Sequence, residues 1–191
     1  MNLIEYLNAS GKLTANDIKL LEKNLTTETC LKGTHFLKTG ERCSKVGFIE
    51  NGIMRSYFFD ENGNEFTHCF MTKSGFVTDP IAFYNQLLSS HYIVAETDTQ
   101  LTCFSSDAYQ VFEEQIPNWS SIIKRATETA YAAKVMEKSQ MLSMDATTRY
   151  LNFAQDHPSI LQNVALKSIA SFLGITRHSL SRIRKNISRK R

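Results

Sequence analysis

The sequence lacks the features that mark membrane proteins and metal-cluster proteins. No apolar run approaches the length of about 18 residues that crosses a bilayer. The four cysteines form no C-x-x-C pair, so neither a zinc site nor an iron–sulfur cluster is expected. Single scattered thiols without an N-terminal signal segment are typical of a reducing compartment. We therefore expect a cytoplasmic protein that makes no membrane contact.

Signatures of common enzyme sites are missing as well. A metal-dependent jelly roll would need His-x-His with a glutamate on an adjacent strand. The five histidines are instead isolated from one another: His35, His68, His91, His157 and His178. No glycine-rich phosphate loop and no Ser/His/Asp arrangement stands out. We predict that the chain is not an enzyme and has no catalytic residue, no metal ligand and no cofactor.

Acidic residues are absent from the C-terminal end of the chain. From Val164 to Arg191 there are eight Lys or Arg and no Asp or Glu. The remainder carries 14 basic and 19 acidic residues, so an acidic body precedes a strongly basic end. This distribution indicates that the end binds an anion such as nucleic acid. The alternative is a basic terminus that is merely solvated.

Short segments rich in β-branched and aromatic residues lie between Thr27 and Ser105, separated by turns that contain glycine. Short strands with a turn every 8 to 12 residues or so predict an antiparallel sandwich or barrel. Asn51-Gly52 is the strongest hairpin signal among these turns. Helices are predicted before this region, and a further helix from Ser106 to Gln115 after it.

A long helical pattern free of glycine and proline follows Pro117 and continues to about Met144. A seam recurs along it at spacings of three or four: Trp119, Ile122, Ala126, Thr129, Ala133, Met136 and Gln140. A helix of about 26 residues is roughly 39 Å long, longer than a small sandwich is wide. We therefore predict a homodimer through residues 118–144. The alternative is a helix that packs only on its own sandwich. Asp145 is predicted to be a cap or hinge before the next helix.

The stretch SIASFLGITRHSLSRIRKN, residues 168–186, fits a helix-turn-helix. Ala170 supplies the small residue where the two helices cross, and Gly174 can adopt the positive φ that the turn needs. Thr176 is predicted to cap the second helix. The apolar residues that would face the joint are Ile169, Leu173, Ile175, Leu180 and Ile183. The alternative is a plain helical hairpin with a solvated charged face.

The outward face of the second helix carries side chains that can read DNA. With Leu180 and Ile183 inward, the helical period turns four residues outward: Arg177, His178, Ser181 and Arg182. Arginine is the usual bidentate partner of guanine in the major groove, so we predict that these residues contact bases. Predicted phosphate contacts on the same helix and its cap are Thr176, Ser179 and Lys185, followed by Arg189, Lys190 and Arg191.

The order of roll, long helix and helix-turn-helix resembles the Crp/Fnr family of bacterial transcription regulators over essentially the whole chain. The most specific part is LKSIASFLGITRHSLSRIRK, where Gly174, Arg177 and Arg182 match the family's pattern. The resemblance implies that both arginines read bases and that Lys167 touches a phosphate. His178 stands where the family often has Glu, so the target sequence does not carry over.

The resemblance also implies the architecture and the partners. The fold class is α+β, with an antiparallel, jelly-roll-like β-roll as sensor domain over residues 1–116. A long dimerisation helix and hinge follow over 117–145, and a small all-α helix-turn-helix domain over 146–191. The implied function is a homodimer that binds double-stranded DNA at a palindromic operator, with RNA polymerase as a further partner. The alternative is a nucleotide- or small-molecule-binding module without sequence-specific DNA binding.

The effector cassette departs from the family's pattern. The family holds a cyclic phosphate with a Gly-Glu pair followed by an Arg-Ser pair. Thr78-Asp79 and Ser89-Ser90 stand at these places, and the nearest cation is His91. Loss of a bidentate arginine contact to a phosphate costs about 1.5–3 kcal/mol. We therefore predict that cyclic AMP binding is weak or absent, and the effector is unknown.

Overall fold

The computed structural model describes residues 1–189, and for Thr129 the backbone alone. The helices are α1 Leu3–Ser10, α2 Ala15–Asn24, α3 Pro80–Asn85, α4 Ser106–Gln115, α5 Trp119–Ser143, α6 Ala146–Asp156, α7 Pro158–Asn163, α8 Leu166–Phe172 and α9 Arg177–Ser188. The strands are β1 Thr26–Cys30, β2 His35–Leu37, β3 Lys45–Asn51, β4 Met54–Phe59, β5 Glu65–Met71, β6 Phe76–Val77, β7 Tyr92–Ala95 and β8 Thr99–Ser105. The predicted phosphate contacts Lys190 and Arg191 lie outside the described residues.

The strands form two four-stranded antiparallel sheets that face each other as a roll. One sheet has the order β1-β8-β3-β6 and the other β2-β7-β4-β5, so β5 is an edge strand. The space between them is filled by apolar side chains such as Ile49, Met54, Ile93 and Leu101, all essentially inaccessible to water. The predicted α+β class with an antiparallel roll is confirmed.

The strongest hairpin signal in the sequence does not form a hairpin. Asn51-Gly52 joins β3 to β4, but these strands belong to different sheets and do not pair. Gly52 has a φ of +112°, and a Cβ there would lie 2.4 Å from Thr99 Oγ1, so the turn needs glycine. The hairpin is instead β4–β5, whose turn contains Asn62-Gly63. Its Asp60 carboxylate accepts hydrogen bonds from the amides of Asn62 and Asn64 at 2.9 and 2.7 Å.

Helix α5 has two halves with different surroundings. Trp119, Ile122 and Ala126 of the predicted seam are buried in the core of the roll, where α1 also packs on the helix. Further along, Met136 of the seam is 62% exposed, and Tyr131 and Leu142, which lie on the opposite side of the helix, are 71% and 90% exposed. The first half of the seam is therefore part of the chain's own core. The second half leaves apolar surface uncovered, and the dimer stays a prediction.

Helices α6 to α9 form a second core at the C-terminal end. The Asp145 carboxylate caps α6 by accepting from the amides of Thr147 and Thr148, as the predicted cap requires. The buried residues of this core include Tyr150, Phe153, Ile160, Ile169 and Leu180. Ile53 and Phe70 of the roll pack into the same cluster. The predicted division into residues 1–116, 117–145 and 146–191 stays a prediction, and the first and last of these parts share a packed interface.

Candidate DNA-reading surface and effector cassette

The turn between α8 and α9 has the geometry that the sequence predicts. Gly174 has a φ of +66°, and Thr176 Oγ1 accepts the Ser179 amide at 3.1 Å, which caps α9. Ala170 and Leu180 are buried where the helices meet. Ile169, Leu173 and Ile183 are buried with them, and Ile175 is half-buried. These local predictions are confirmed.

The outward face of α9 is open to solvent and carries the residues predicted to read bases. Arg177, His178, Ser181 and Arg182 are all exposed. They lie opposite Leu180 and Ile183, which anchor the helix. Because no acidic residue occurs between Val164 and the end of the chain, nothing within these two helices neutralises this face. The surface offers exposed cationic and hydrogen-bonding groups, the residue types that contact bases in DNA grooves.

The predicted phosphate contacts lie beside this reading face. Lys167 is exposed on the first turn of α8, and Lys185 is exposed on α9. The hydroxyls of Thr176 and Ser179 lie 3.0 Å apart and also serve the cap of α9. An exposed helix N-terminus with two hydroxyls is suited to a phosphate oxygen. Arg189 is exposed at the end of α9.

Arg149 supports the turn from below and was not found from the sequence. Its guanidinium donates to the carbonyl oxygen of Leu173 at 2.7 Å, and Leu173 is the C-cap of α8. A Cβ at Gly174 would lie 3.3 Å from the same guanidinium nitrogen, so the arginine lies directly under the turn. The sequence around Arg149 does not indicate this contact with the turn, because the acceptor, the Leu173 carbonyl, lies 24 residues later at the end of another helix.

The five residues of the predicted effector pocket lie together in the segment from β6 through α3 to β7. Asp79 is 8% exposed, and its carboxylate accepts from the Ala82 amide at 3.1 Å and from the Ser89 hydroxyl at 2.9 Å. His91 Nδ1 is 3.7 Å from the same carboxylate and 2.9 Å from the Ser90 hydroxyl. Thr78 Oγ1 contacts the Cys43 thiol at 3.2 Å. The polar side chains of the cassette are therefore bonded to one another, and Thr78 contacts Cys43.

Asp79 is held ionised by these bonds. Burial acts to raise the pKa of its carboxyl, but the Ala82 amide, the Ser89 hydroxyl and the nearby His91 together hold that pKa below its ordinary value. The negative charge faces the donors that start α3. The Asp79 carboxylate therefore already occupies the Ala82 amide in α3 and the Ser89 hydroxyl that follows this helix.

Basic side chains that the sequence analysis did not single out for this site adjoin the cassette. The His68 ring lies 5.4 Å from that of His91, and the His91 ring lies 5.9 Å from that of Phe58, which is stacked on Phe66. Burial lowers the pKa of His68, and the charges of His91, Lys138 and Lys134 lower it further. Burial also lowers the pKa of Lys138 on α5. The signal was missed because α5 and β5 are distant in sequence and meet only in the fold.

Among residues 1–189 no cluster of three or more His, Cys, Asp or Glu could hold a metal ion. None of the helices in that range combines the length and the hydropathy that a membrane span needs.

Comparisons with known proteins identify the roll and the overall fold. Residues 27–115 match the model of the cyclic nucleotide-binding domain family. A comparison with the sequences of curated proteins finds no significant match. A structure described as a Crp/Fnr-family transcriptional regulator from Eubacterium rectale superimposes with a TM-score of 0.77 at 19% identity, covering 97% of this chain and 88% of that one.

Two further structures agree with this fold. The c-di-GMP responsive global regulator CLP of Xanthomonas campestris gives a TM-score of 0.72 at 15% identity and covers 93% of each chain. FixK2 of Bradyrhizobium japonicum gives 0.67 at 13% identity, over 87% of this chain and 85% of that one. The chain therefore matches the cyclic nucleotide-binding domain model over residues 27–115, and it shares its overall fold with structures described as transcriptional regulators.

Proposed function

We propose that the chain is a sequence-specific DNA-binding transcription regulator that acts as a homodimer on a palindromic operator. The observation that carries this proposal is the exposed face of α9, with Arg177 and Arg182 among hydrogen-bonding side chains and no acidic residue in the sequence from Val164 onward. The alternative, a ligand-binding module without sequence-specific DNA binding, gives no reason for a capped helix that exposes several basic side chains and contains no acidic residue. The structures with the same fold include described transcriptional regulators.

The dimer is proposed through the second half of α5. Met136 of the predicted seam leaves its apolar side chain exposed on a helix that extends beyond the core of the roll. A second copy of the same helix, packed along the seam, would cover it by a two-fold contact. Two recognition helices related by that axis bind half-sites one turn of B-DNA apart, about 34 Å. This symmetry is why we expect a palindrome.

The proposal is tested by selection of bound duplexes from a random pool with the full-length protein. The expected result is enrichment of an inverted repeat whose half-site centres lie about 10 base pairs apart. An inverted repeat also requires that the selecting species be a dimer, which light scattering on the same sample measures. Recovery of unrelated sequences, with binding that depends only on salt concentration, would overturn sequence-specific recognition.

We further propose that the cassette does not respond to cyclic AMP. Ser89 supplies no positive charge where the family's arginine would lie, and Asp79 already occupies the Ala82 amide and the Ser89 hydroxyl. A missing bidentate contact of about 1.5–3 kcal/mol weakens binding by about 10- to 150-fold. Calorimetric titration with cyclic AMP and cyclic GMP is expected to show no saturable heat at micromolar ligand. Saturable binding of one nucleotide per chain would show that the cassette opens and that another cation replaces the arginine.

A further inference from the structure

Helix α8 lies against β5, the edge strand of its sheet. The Ser171 hydroxyl oxygen accepts the Thr67 amide at 2.8 Å, and the same hydroxyl donates to the Glu65 carbonyl oxygen at 3.1 Å. An edge strand normally leaves such backbone groups to water or to another strand. One side chain of the helix-turn-helix therefore satisfies the open edge of the sensor sheet at two points.

Apolar packing surrounds these hydrogen bonds. The Phe70 ring of β5 lies 5.3 Å from that of Phe172 and 6.2 Å from that of Phe153. Ile53, which directly precedes β4, is 4% exposed within the same cluster. Lys138 of α5 lies over the Phe172 ring at 4.2 Å. The C-terminal helices therefore share an apolar core with the roll. Their position is fixed by this packing as well as by the chain connection at the Asp145 hinge.

A buried ion-pair network lies behind the docked strand. One guanidinium nitrogen of Arg55 donates to the Glu65 carboxylate at 2.9 Å and to the Thr67 hydroxyl at 3.3 Å. Its Nε donates to the Glu96 carboxylate. Glu65 and Thr67 are therefore bonded on both sides. Ser171 bonds to their backbone groups, and Arg55 bonds to their side chains. Glu96 follows β7, the strand that leaves the effector cassette.

The docking leaves the reading face uncovered. The contacts with the roll come from α8 and α6, whereas Arg177, Ser181 and Arg182 on α9 remain exposed. The interface therefore does not hide the recognition helix, and its effect is to fix the direction in which that helix points. In a two-fold dimer this direction sets the distance between the two recognition helices.

We propose that Ser171 is a positioning residue that, with the Arg55 network behind β5, sets the half-site spacing that the dimer accepts. The proposal rests on the proposed DNA-binding function. In this proposal a structural change in the cassette reaches the recognition helix α9 through β7, Glu96, Arg55 and β5. This path does not pass through the hinge at Asp145. A rigid, pre-oriented pair of helices binds one spacing well and others poorly, because reorientation costs binding free energy.

The test compares Ser171→Ala with Ser171→Thr, which keeps the hydroxyl, and with Ser159→Ala as a matched change at an exposed serine of α7. Amide exchange by NMR is expected to be about tenfold faster at Thr67 in Ser171→Ala and unchanged in Ser159→Ala. Affinity for the selected operator is expected to fall about three- to tenfold, because one docking contact is lost. Operators with the half-sites moved apart by one or two base pairs should lose less affinity in Ser171→Ala than in the wild type. Ser171→Thr is expected to restore both properties.

The outcomes separate the two proposals. If Thr67 exchange or the spacing preference is the same in Ser171→Ala as in the wild type, the positioning role is overturned while the DNA-binding function stands. If the wild type selects no operator, the DNA-binding function is overturned, whatever the exchange rate at Thr67. Equal affinity of wild type and Ser171→Ala for a duplex with a single half-site supports positioning, because the base contacts themselves are then unchanged. A loss on the half-site as large as that on the operator would mean that Ser171 supports only the fold of the helix-turn-helix.

Discussion

Replacement of Arg177 and Arg182 together by alanine is expected to weaken binding to the selected operator by about 10²- to 10⁴-fold. Each arginine is exposed on the outward face of α9 and can make a bidentate contact with guanine, worth about 1–3 kcal/mol of discrimination. Neither side chain contributes to the core, so the free energy of unfolding should change little. The measurement is the ratio of affinities for the operator and for a scrambled duplex of equal length and composition.

A matched control removes two charges from the C-terminal end of the same helix without changing any of the four residues predicted to read bases. Arg184 and Arg189 are also exposed, but Arg184 lies two turns beyond Arg177 and Arg189 is the C-cap of α9. The double change Arg184→Ala and Arg189→Ala should weaken binding to both duplexes to a similar extent and reduce the dependence on salt, because it removes nonspecific attraction. If this control lost as much specificity as Arg177→Ala with Arg182→Ala, the reading face would be assigned wrongly.

The parts of the molecule that the sequence predicted correctly are those fixed by local physics. The turn at Gly174 needs a positive φ, and the cap at Thr176 needs a hydroxyl within three residues of its partner amide. Both requirements are visible within a short stretch. The same holds for helix α4, whose bounds Ser106–Gln115 are those expected from its own pattern.

The errors and omissions came from contacts between distant parts of the chain. Asn51-Gly52 has the composition of a hairpin turn, but β3 and β4 pair with other strands, because each sheet is completed by β8 or β7 from much later in the chain. Ser171 meets Thr67 across 104 residues, and a serine in a helix has no pattern that indicates such an acceptor or donor. These contacts depend on how the sheets and helices pack.

For the effector cassette, the sequence identified the residues that lie together but not the hydrogen bonds that they form. Thr78, Asp79, Ser89, Ser90 and His91 lie together as expected. Thr78-Asp79 stands in the sequence where the family has its ligand-binding Gly-Glu pair, whereas the fold turns the Asp79 carboxylate onto the Ala82 amide and the Ser89 hydroxyl. A short acidic side chain before Pro80 is a natural helix cap, and that local preference competes with any role toward a ligand.

Arg55→Ala is expected to destabilise the protein by about 3–5 kcal/mol, the largest loss of stability that we expect from a single polar residue. The Arg55, Glu65 and Glu96 side chains are 9%, 19% and 13% exposed, so removal of the cation leaves two carboxylates close together with little water. The guanidinium also lies 4.5 Å from the centre of the Tyr57 ring, and that attraction is lost too. Urea unfolding of the full chain measures the change in the free energy of unfolding.

Two companion variants show whether the loss comes from unpaired buried charge. Lys45→Ala breaks an ion pair with Glu28 in which both side chains are more than a third exposed, and it should cost less than about 1 kcal/mol. The triple change Arg55→Met, Glu65→Gln and Glu96→Gln removes all three charges and should recover most of the stability lost in Arg55→Ala. Because Glu65 and Thr67 are held by Arg55 on one side and Ser171 on the other, Arg55→Ala should also speed amide exchange at Thr67. A cost in Arg55→Ala no greater than that in Lys45→Ala would mean that water reaches the three charges, and that the network does not hold β5 in place for α8.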